Sequence, residues 1–399
     1  MKKYIFTILI TSLVVTLLIA CSQSPTSNNS ASSGIIAITN GFLIDGTGAN
    51  PIPNSIIIIQ NGTIQSVGSD SNVVIPIGAE VIDVQGAYIL PGFMNTHVHD
   101  ACSEYNLKEW SKNGVTTVRD VGDLINAPEN SFSIRDLLLT DNKNSRLVAA
   151  GPLVTTVGGY GNYPVTSTAD ANLKVNYLID LGADLIKIAI EHNLQGQIWP
   201  MLSMEEILMI TQTTHNRDKK VAAHISRSMH LDMAIRGGVD DVVHMVVDNL
   251  PDSLITFMIQ KGMYWVPTLE LWKGVSLLHS VNWDVIAKNN LQRYVQAGGK
   301  VAMGTDYGGY IVPFDLGMPM TEIQLMQEAG MTPMQIIIAG TINAAHVCNM
   351  DNILGTIEVG KIADIIIVEN NPLIDLQTLS DVKIVIHNGE IIKNIMSNN

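Results

Sequence analysis

A (β/α)8 TIM barrel with a small β-sandwich domain built from both termini is the α/β fold class that this sequence predicts. Three observations lead there. Between Pro91 and Asn349, apolar strand-like runs alternate with amphipathic helical stretches eight times. That is the pattern of such a barrel, which takes about 250 residues. The two ends of the chain share a different character, short isoleucine- and valine-rich runs parted by Asn-Gly turns. Residues able to hold a metal stand where several middle runs stop, and barrel chemistry sits at strand ends. A doubly wound open sheet shares the alternation, but no Gly-rich phosphate fingerprint follows the first strand.

The chain opens with Met1-Lys2-Lys3 and an apolar run from Tyr4 to Ala20, which reads as a targeting segment rather than as part of the fold. Leu18-Ile19-Ala20-Cys21 resembles a bacterial lipobox, with Cys21 as the lipidated residue. Residues 1–21 are therefore expected to be a lipoprotein signal. Residues 22–33, a Ser/Asn/Thr/Pro stretch with nothing to bury, form a tether. The expected address is the cell membrane, lipid-anchored and facing away from the cytoplasm.

Residues 34–90 supply the first part of the β domain. Its strands are Ile35 to Ile38, Ser55 to Ile59, Thr63 to Val67 and Glu80 to Val84, with turns at Asn40-Gly41, Asn61-Gly62 and Gln85-Gly86. Residues 350–399 supply the second part, with Ala363 to Val368, Val382 to Ile386 and a turn at Asn388-Gly389. Residues 91–349 form the barrel. Its strands are expected at His97-Val98-His99, Val115 to Val121, Arg146 to Ala150, Ala183 to Ile190, Lys220 to His224, Asp241 to His244, Met263 to Val266 and Lys300 to Asp306. Helices are expected over Ser203 to Asn216, where Ser203 and Glu206 fit a capping box, and over Pro251 to Lys261.

Composition narrows the function. The 399 residues carry a formal net charge of −14, which argues against a nucleic-acid partner. At 46% hydrophobic and 15% charged residues, the chain as a whole is folded. Beyond Cys21 only Cys102 and Cys348 remain, too few for a disulfide framework. They could form one pair, and Cys102 is read as a buried thiol. The oligomeric state stays open, a homo-oligomer included.

The stretch Pro91 to Asp100 places His97 and His99 one residue apart. On a strand, residues i and i+2 face the same way, so both imidazoles project together. A lone His-x-His says little, but other strand ends add His224, His244 and Asp306, and the fourth strand adds Lys187. Several histidines with a carboxylate form a zinc-type ligand set. An ammonium on an apolar strand is costly unless paired or neutralised. Lys187 either pairs with a carboxylate such as Asp306 or reacts as the neutral amine with carbon dioxide. The resulting carbamate can bridge two cations, and with this company the bridge is the expectation. Arg119-Asp120 reads as an internal pair supporting the barrel. His192 and His215 read as structural or surface residues.

These residues resemble the amidohydrolase superfamily of metal-dependent hydrolases, and within it the imidazolonepropionase-like and prolidase-like (Xaa-Pro or Xaa-Arg dipeptidase) members. The motifs are Pro91-Gly92-Phe93 with His97-Val98-His99, Gly114 to Asp120, Gly182 to Lys187, Gly304-Thr305-Asp306 and Gly355 to Asp364. The resemblance implies that His97, His99 and Asp306 bind one divalent ion and His224 and His244 a second. Carboxylated Lys187 bridges them, and zinc is the expected metal. It also implies a hydrolase of amide or peptide carbon–nitrogen bonds, dipeptidase- or prolidase-like, acting on a small substrate through a metal-bridging hydroxide, with Asp306 as catalytic proton carrier.

Departures concern the substrate. Prolidase-like members often have a tyrosine two residues after the fifth-strand histidine, where this chain has Ser226. They often have Gly-Gly-His after the third strand, where it has Gly158-Gly159-Tyr160. Arg227 and Tyr160 are the candidate substrate contacts, Arg227 because a guanidinium matches a carboxylate bidentately. A one-metal, imidazolonepropionase-like cyclic-amide hydrolase is an alternative. The sequence after His224, Ile225-Ser226-Arg227-Ser228, lacks the acid which that scheme uses. Hydrolysis of a lactone or organophosphate ester, or a non-catalytic surface lipoprotein on the same barrel, complete the alternatives.

Overall fold

The computed structural model describes residues 34–123, 127–194 and 196–396. Cys21, the leader and the tether lie outside the described residues. Eight strands make up the barrel: Phe93–Val98, Val115–Asp120, Arg146–Ala149, Leu185–Ala189, Lys220–His224, Asp241–Val243, Tyr264–Val266 and Lys300–Val301. The first three pair in parallel, and so do the last five. The Asp184 N–H donates to Ala149 O across the gap between the two groups. The segment after the last strand returns to the first, with Thr96 N–H donating to Met303 O at 2.8 Å and Asp306 N–H to His97 O at 2.9 Å. Strands and helices alternate because each helix covers the outer face of the strand it follows.

Period-2 geometry explains which side chains turn inward. Ile186 and Ile188 join the core beneath the helices, whereas Leu185 joins the cluster inside the barrel with Ala222, Val243, Val266 and Ala302. Lys187 and His224 are in phase with Leu185 and Ala222, so they also point inward. The helix Met204–His215 starts at Ser203 with the expected capping box, and Asp252–Lys261 starts after Pro251.

The small domain is an eight-stranded sheet to which both chain ends contribute. Tyr88–Pro91 joins them, pairing with Ile35–Leu43 on one side and Ile365–Val368 on the other. The sheet curls so that Ile64 N–H reaches Lys361 O at 2.9 Å. An isoleucine-rich core that includes Ile38, Ile57, Ile365 and Ile386 lies within it. Arg146, on the third barrel strand, donates to Asp364 at 2.7 Å and ties this domain to the barrel.

One reading of the sequence is corrected. Arg119 does not pair with Asp120. Its guanidinium reaches across the barrel to Asp241, at 2.7 and 3.0 Å, and both side chains are fully buried. Neighbours on a strand face opposite sides, and Asp120 instead accepts the backbone N–H groups of Ala101 and Gly122. Cys102 and Cys348 are both free thiols.

Candidate metal centre

One cavity of about 440 Å³ opens over the strand ends, and His97, His99, Lys187, His224, His244 and Asp306 all line it. His97 Nε2 and His99 Nε2 are 3.3 Å apart. Asp306 Oδ1 lies 2.9 Å from the first and 3.1 Å from the second. The ring of His244 bridges to the other side, with centroids 4.7 Å from His97 and 4.7 Å from His224. Six residues from five separate places in the chain thus converge on one space.

The ring orientations are fixed from behind. His99 Nδ1 donates to Gly122 O at 2.8 Å, and His244 Nδ1 meets Thr268 Oγ1 at 2.8 Å. A histidine tethered through Nδ1 offers Nε2 to a metal. The backbone is bent to make these placements. His244 and Asp306 adopt φ of 70° and 73°, a left-handed conformation uncommon outside glycine. Gly309 is required beside Asp306, because a Cβ there would stand 2.5 Å from Oδ1.

Electrostatics favour cation binding. Burial, then the nearby Lys187 and His244, holds His97 well below the usual histidine range, and burial with His224 does the same to His244. Both rings are neutral at pH 7, the form that ligates metals. Burial opposes charge on His99, but Asp306 outweighs it and raises that pKa. Burial and then the Arg119 cation lower Lys187 to about 7, against the pull of Asp306, Asp241 and Asp120. Lys187 makes no ion pair with Asp306 among the described residues; that carboxylate pairs with the two histidines instead. His97 presents Nε2 to the cavity beside His99 Nε2 and Asp306 Oδ1, while its Nδ1 is buried without a hydrogen-bond partner among the described residues. The donors suit a divalent cation.

Tyr160 also lines the cavity, stacked on His224 with centroids 4.5 Å apart and planes at 29°. Arg227 does not line it. Its guanidinium lies over Trp283 at 5.6 Å, and Nη1 donates to Val247 O at 3.5 Å. Sequence reasoning missed Glu191. This carboxylate is buried behind His224, Oε2 to Nε2 at 3.5 Å, and beside His230 Nδ1 at 3.7 Å. His230 Nδ1 accepts the N–H groups of Ser226 and Arg227, so its Nε2–H points to His192 Nδ1, 2.6 Å away. A cation held by Glu191, His192 and His230 would need that nitrogen pair free, so the trio reads as a support for His224. The signal in the sequence was an acid four residues after Lys187, two past the end of the same strand.

Comparison with known proteins places these features. A family profile described as the amidohydrolase family matches residues 88–393. Ochratoxinase of Aspergillus niger is 24% identical, with 88% of this chain and 85% of that protein covered. Imidazolonepropionase of Geobacillus kaustophilus is 24% identical, covering 79% and 84%. A solved Xaa-Pro dipeptidase with methionine in its active site superposes with a TM-score of 0.79 at 25% identity, over 90% of this chain and 99% of that one.

Proposed function

The chain belongs to the amidohydrolase family, and from that premise we propose that it hydrolyses a carbon–nitrogen bond, amide or peptide, in a small dipeptide-like substrate with the help of two divalent ions. The observation that carries this reading is the convergence of four histidines, one aspartate and one depressed-pKa lysine on a single cavity. In this scheme His97, His99 and Asp306 would hold one ion and His224 and His244 the other. Lys187, carboxylated as the neutral amine, would span both. Zinc fits the nitrogen-rich set. Such ions, when bound, supply acidified water and polarise the scissile carbonyl at neutral pH.

The chain's own groups do the rest. Asp306 takes the proton of the attacking water and delivers it to the departing nitrogen, which must leave as an amine. Tyr160 keeps its phenol protonated, because burial and then the Asp306 and Glu191 charges push its pKa upward. It is thus a neutral donor in the cavity wall for the oxygen that gains charge. Glu191 faces His224 Nε2 at 3.5 Å and would leave Nδ1 of that ring as the nitrogen available to an ion. Lying outside the cavity, Glu191 does not act as the acid of a one-metal scheme. We further propose that lipid on Cys21 and the tether 22–33 hold residues 34–399 at the outer side of the membrane.

Stripping the protein with a chelator should abolish amide hydrolysis, zinc should restore it, and Asp306→Asn should stay inactive while still binding metal. Hydrolysis that survives complete metal removal would refute the reading.

A further inference from the structure

We infer that the substrate is an uncharged amide bearing an aromatic ring beside the scissile bond, rather than a free dipeptide with charged ends. The inference rests on the hydrolase reading above and narrows it. Two aromatic walls flank the ligand set. On the His224 side, Trp199 meets Tyr160 edge-on with centroids 5.2 Å apart. On the His244 side, Trp272 packs edge-on against that histidine at 6.0 Å and is braced by Trp283 at 5.7 Å. Leu153, Leu271 and Val275 fill in between. The Trp272 wall is held firmly: its helix, Leu269–His279, has its first two N–H groups capped by the buried Glu322 carboxyl at 3.0 and 2.7 Å. Walls this close to the reacting centre touch the groups on either side of the bond to be cut.

The charge inventory points the same way. Among the described lining residues Lys187 is the one lysine or arginine, and it stands within the ligand set itself. Arg227, the cation expected to grip a carboxylate, is turned away onto Trp283. Asn162 carries no charge and is tethered by two backbone hydrogen bonds, Oδ1 accepting Leu153 N–H and Nδ2 donating to Asp123 O. Among the described lining residues, a substrate carboxylate would find a positive partner only at the ligand set, where it would compete with the scissile carbonyl. An unpaired charge in such a cavity is strongly disfavoured, whereas a ring against indole and phenol faces gains burial and aromatic contact.

The test uses the zinc-loaded full chain and three compounds that share one glycyl amide bond. These are glycyl-phenylalanine, N-acetylglycyl-phenylalanine amide and N-acetylglycyl-alanine amide, with products assigned by mass. The capped phenylalanine compound should exceed both others in kcat/KM by at least about 30-fold, the size expected for one buried ring or one unpaired charge. Gln197→Arg, at an exposed lining position, should shift the preference toward glycyl-phenylalanine by about tenfold. Turnover of the free dipeptide equal to or better than that of its capped form would overturn the inference and leave the hydrolase reading standing. Binding of the same three compounds to metal-loaded Asp306→Asn, by calorimetry, separates the two claims. The same ranking without turnover in the parent would sink the hydrolase reading alone, and no ranking would sink this inference.

Discussion

Glu191 Oε2 lies 3.5 Å from His224 Nε2, and neither atom has a hydrogen-bond partner elsewhere among the described residues. Burial raises the Glu191 pKa, but His224 and His230 outweigh it and bring the value to about 2. The carboxylate is therefore charged and aimed at a ring N–H. Removing such a partner from a ligating histidine costs about 10–100-fold in metal affinity. Glu191→Ala should weaken the more loosely held ion by that factor in chelator competition and shift the visible spectrum of cobalt-loaded protein. Glu191→Asp should recover part of it. Unchanged affinity and spectrum in Glu191→Ala would reduce Glu191 to a packing residue.

The Arg119–Asp241 pair makes a separate stability prediction. Both side chains are fully buried, and Arg119 also donates to Thr96 O at 2.6 Å. Arg119→Met leaves a buried carboxylate unpaired and should cost about 3–5 kcal/mol in urea unfolding. The double variant Arg119→Met, Asp241→Leu should regain most of that loss, because two apolar groups need no partner. Failure of the second change to restore stability would show that the hydrogen bonds Arg119 donates to Thr96 O and, at 3.1 Å, to Val347 O dominate over the ion pair.

Stability should also depend on pH through two buried carboxyls. Glu270 is pushed up to about 9 by burial and by Asp315 beside it, and Glu322 to about 8 by burial. In the unfolded chain each ionises near 4.5. Between about pH 5 and 8 the unfolded state binds fewer protons, so stability falls as pH rises, by up to about 1.4 kcal/mol per pH unit per group. Glu270→Gln should remove one group's share of that slope in unfolding curves from acid to mild alkali. An identical slope in the variant would mean that Glu270 is ionised in the folded chain.

The N-terminal segment is testable by fractionation. Cys21→Ala should release the mature chain from membranes or block its processing. A variant that fractionates and matures like the parent would remove the lipid anchor from the account.

Strand ends were legible in the sequence because the histidine and aspartate candidates stand where apolar runs stop. His97 and His99 follow from i, i+2 geometry, and Lys187 from its polarity among Leu185, Ile186 and Ile188. What the sequence hid are contacts across the barrel. Asp241 lies 122 positions from Arg119, and no local period encodes that register. Glu191 and His230 meet only because the loop after one strand folds over the helix after the next. Arg227 has the right chemistry for a carboxylate, but the turn into its helix aims it at Trp283. Pairing between neighbours in space depends on loop path, which propensity and spacing do not fix.

Metal content in the parent and in Lys187→Ala decides whether Lys187 holds two ions at one centre. Two divalent ions per parent chain are expected at saturation. Fewer than one is expected in the variant, with turnover abolished and partly restored by a small added carboxylic acid. Full metal content and near-normal turnover in Lys187→Ala would contradict that role.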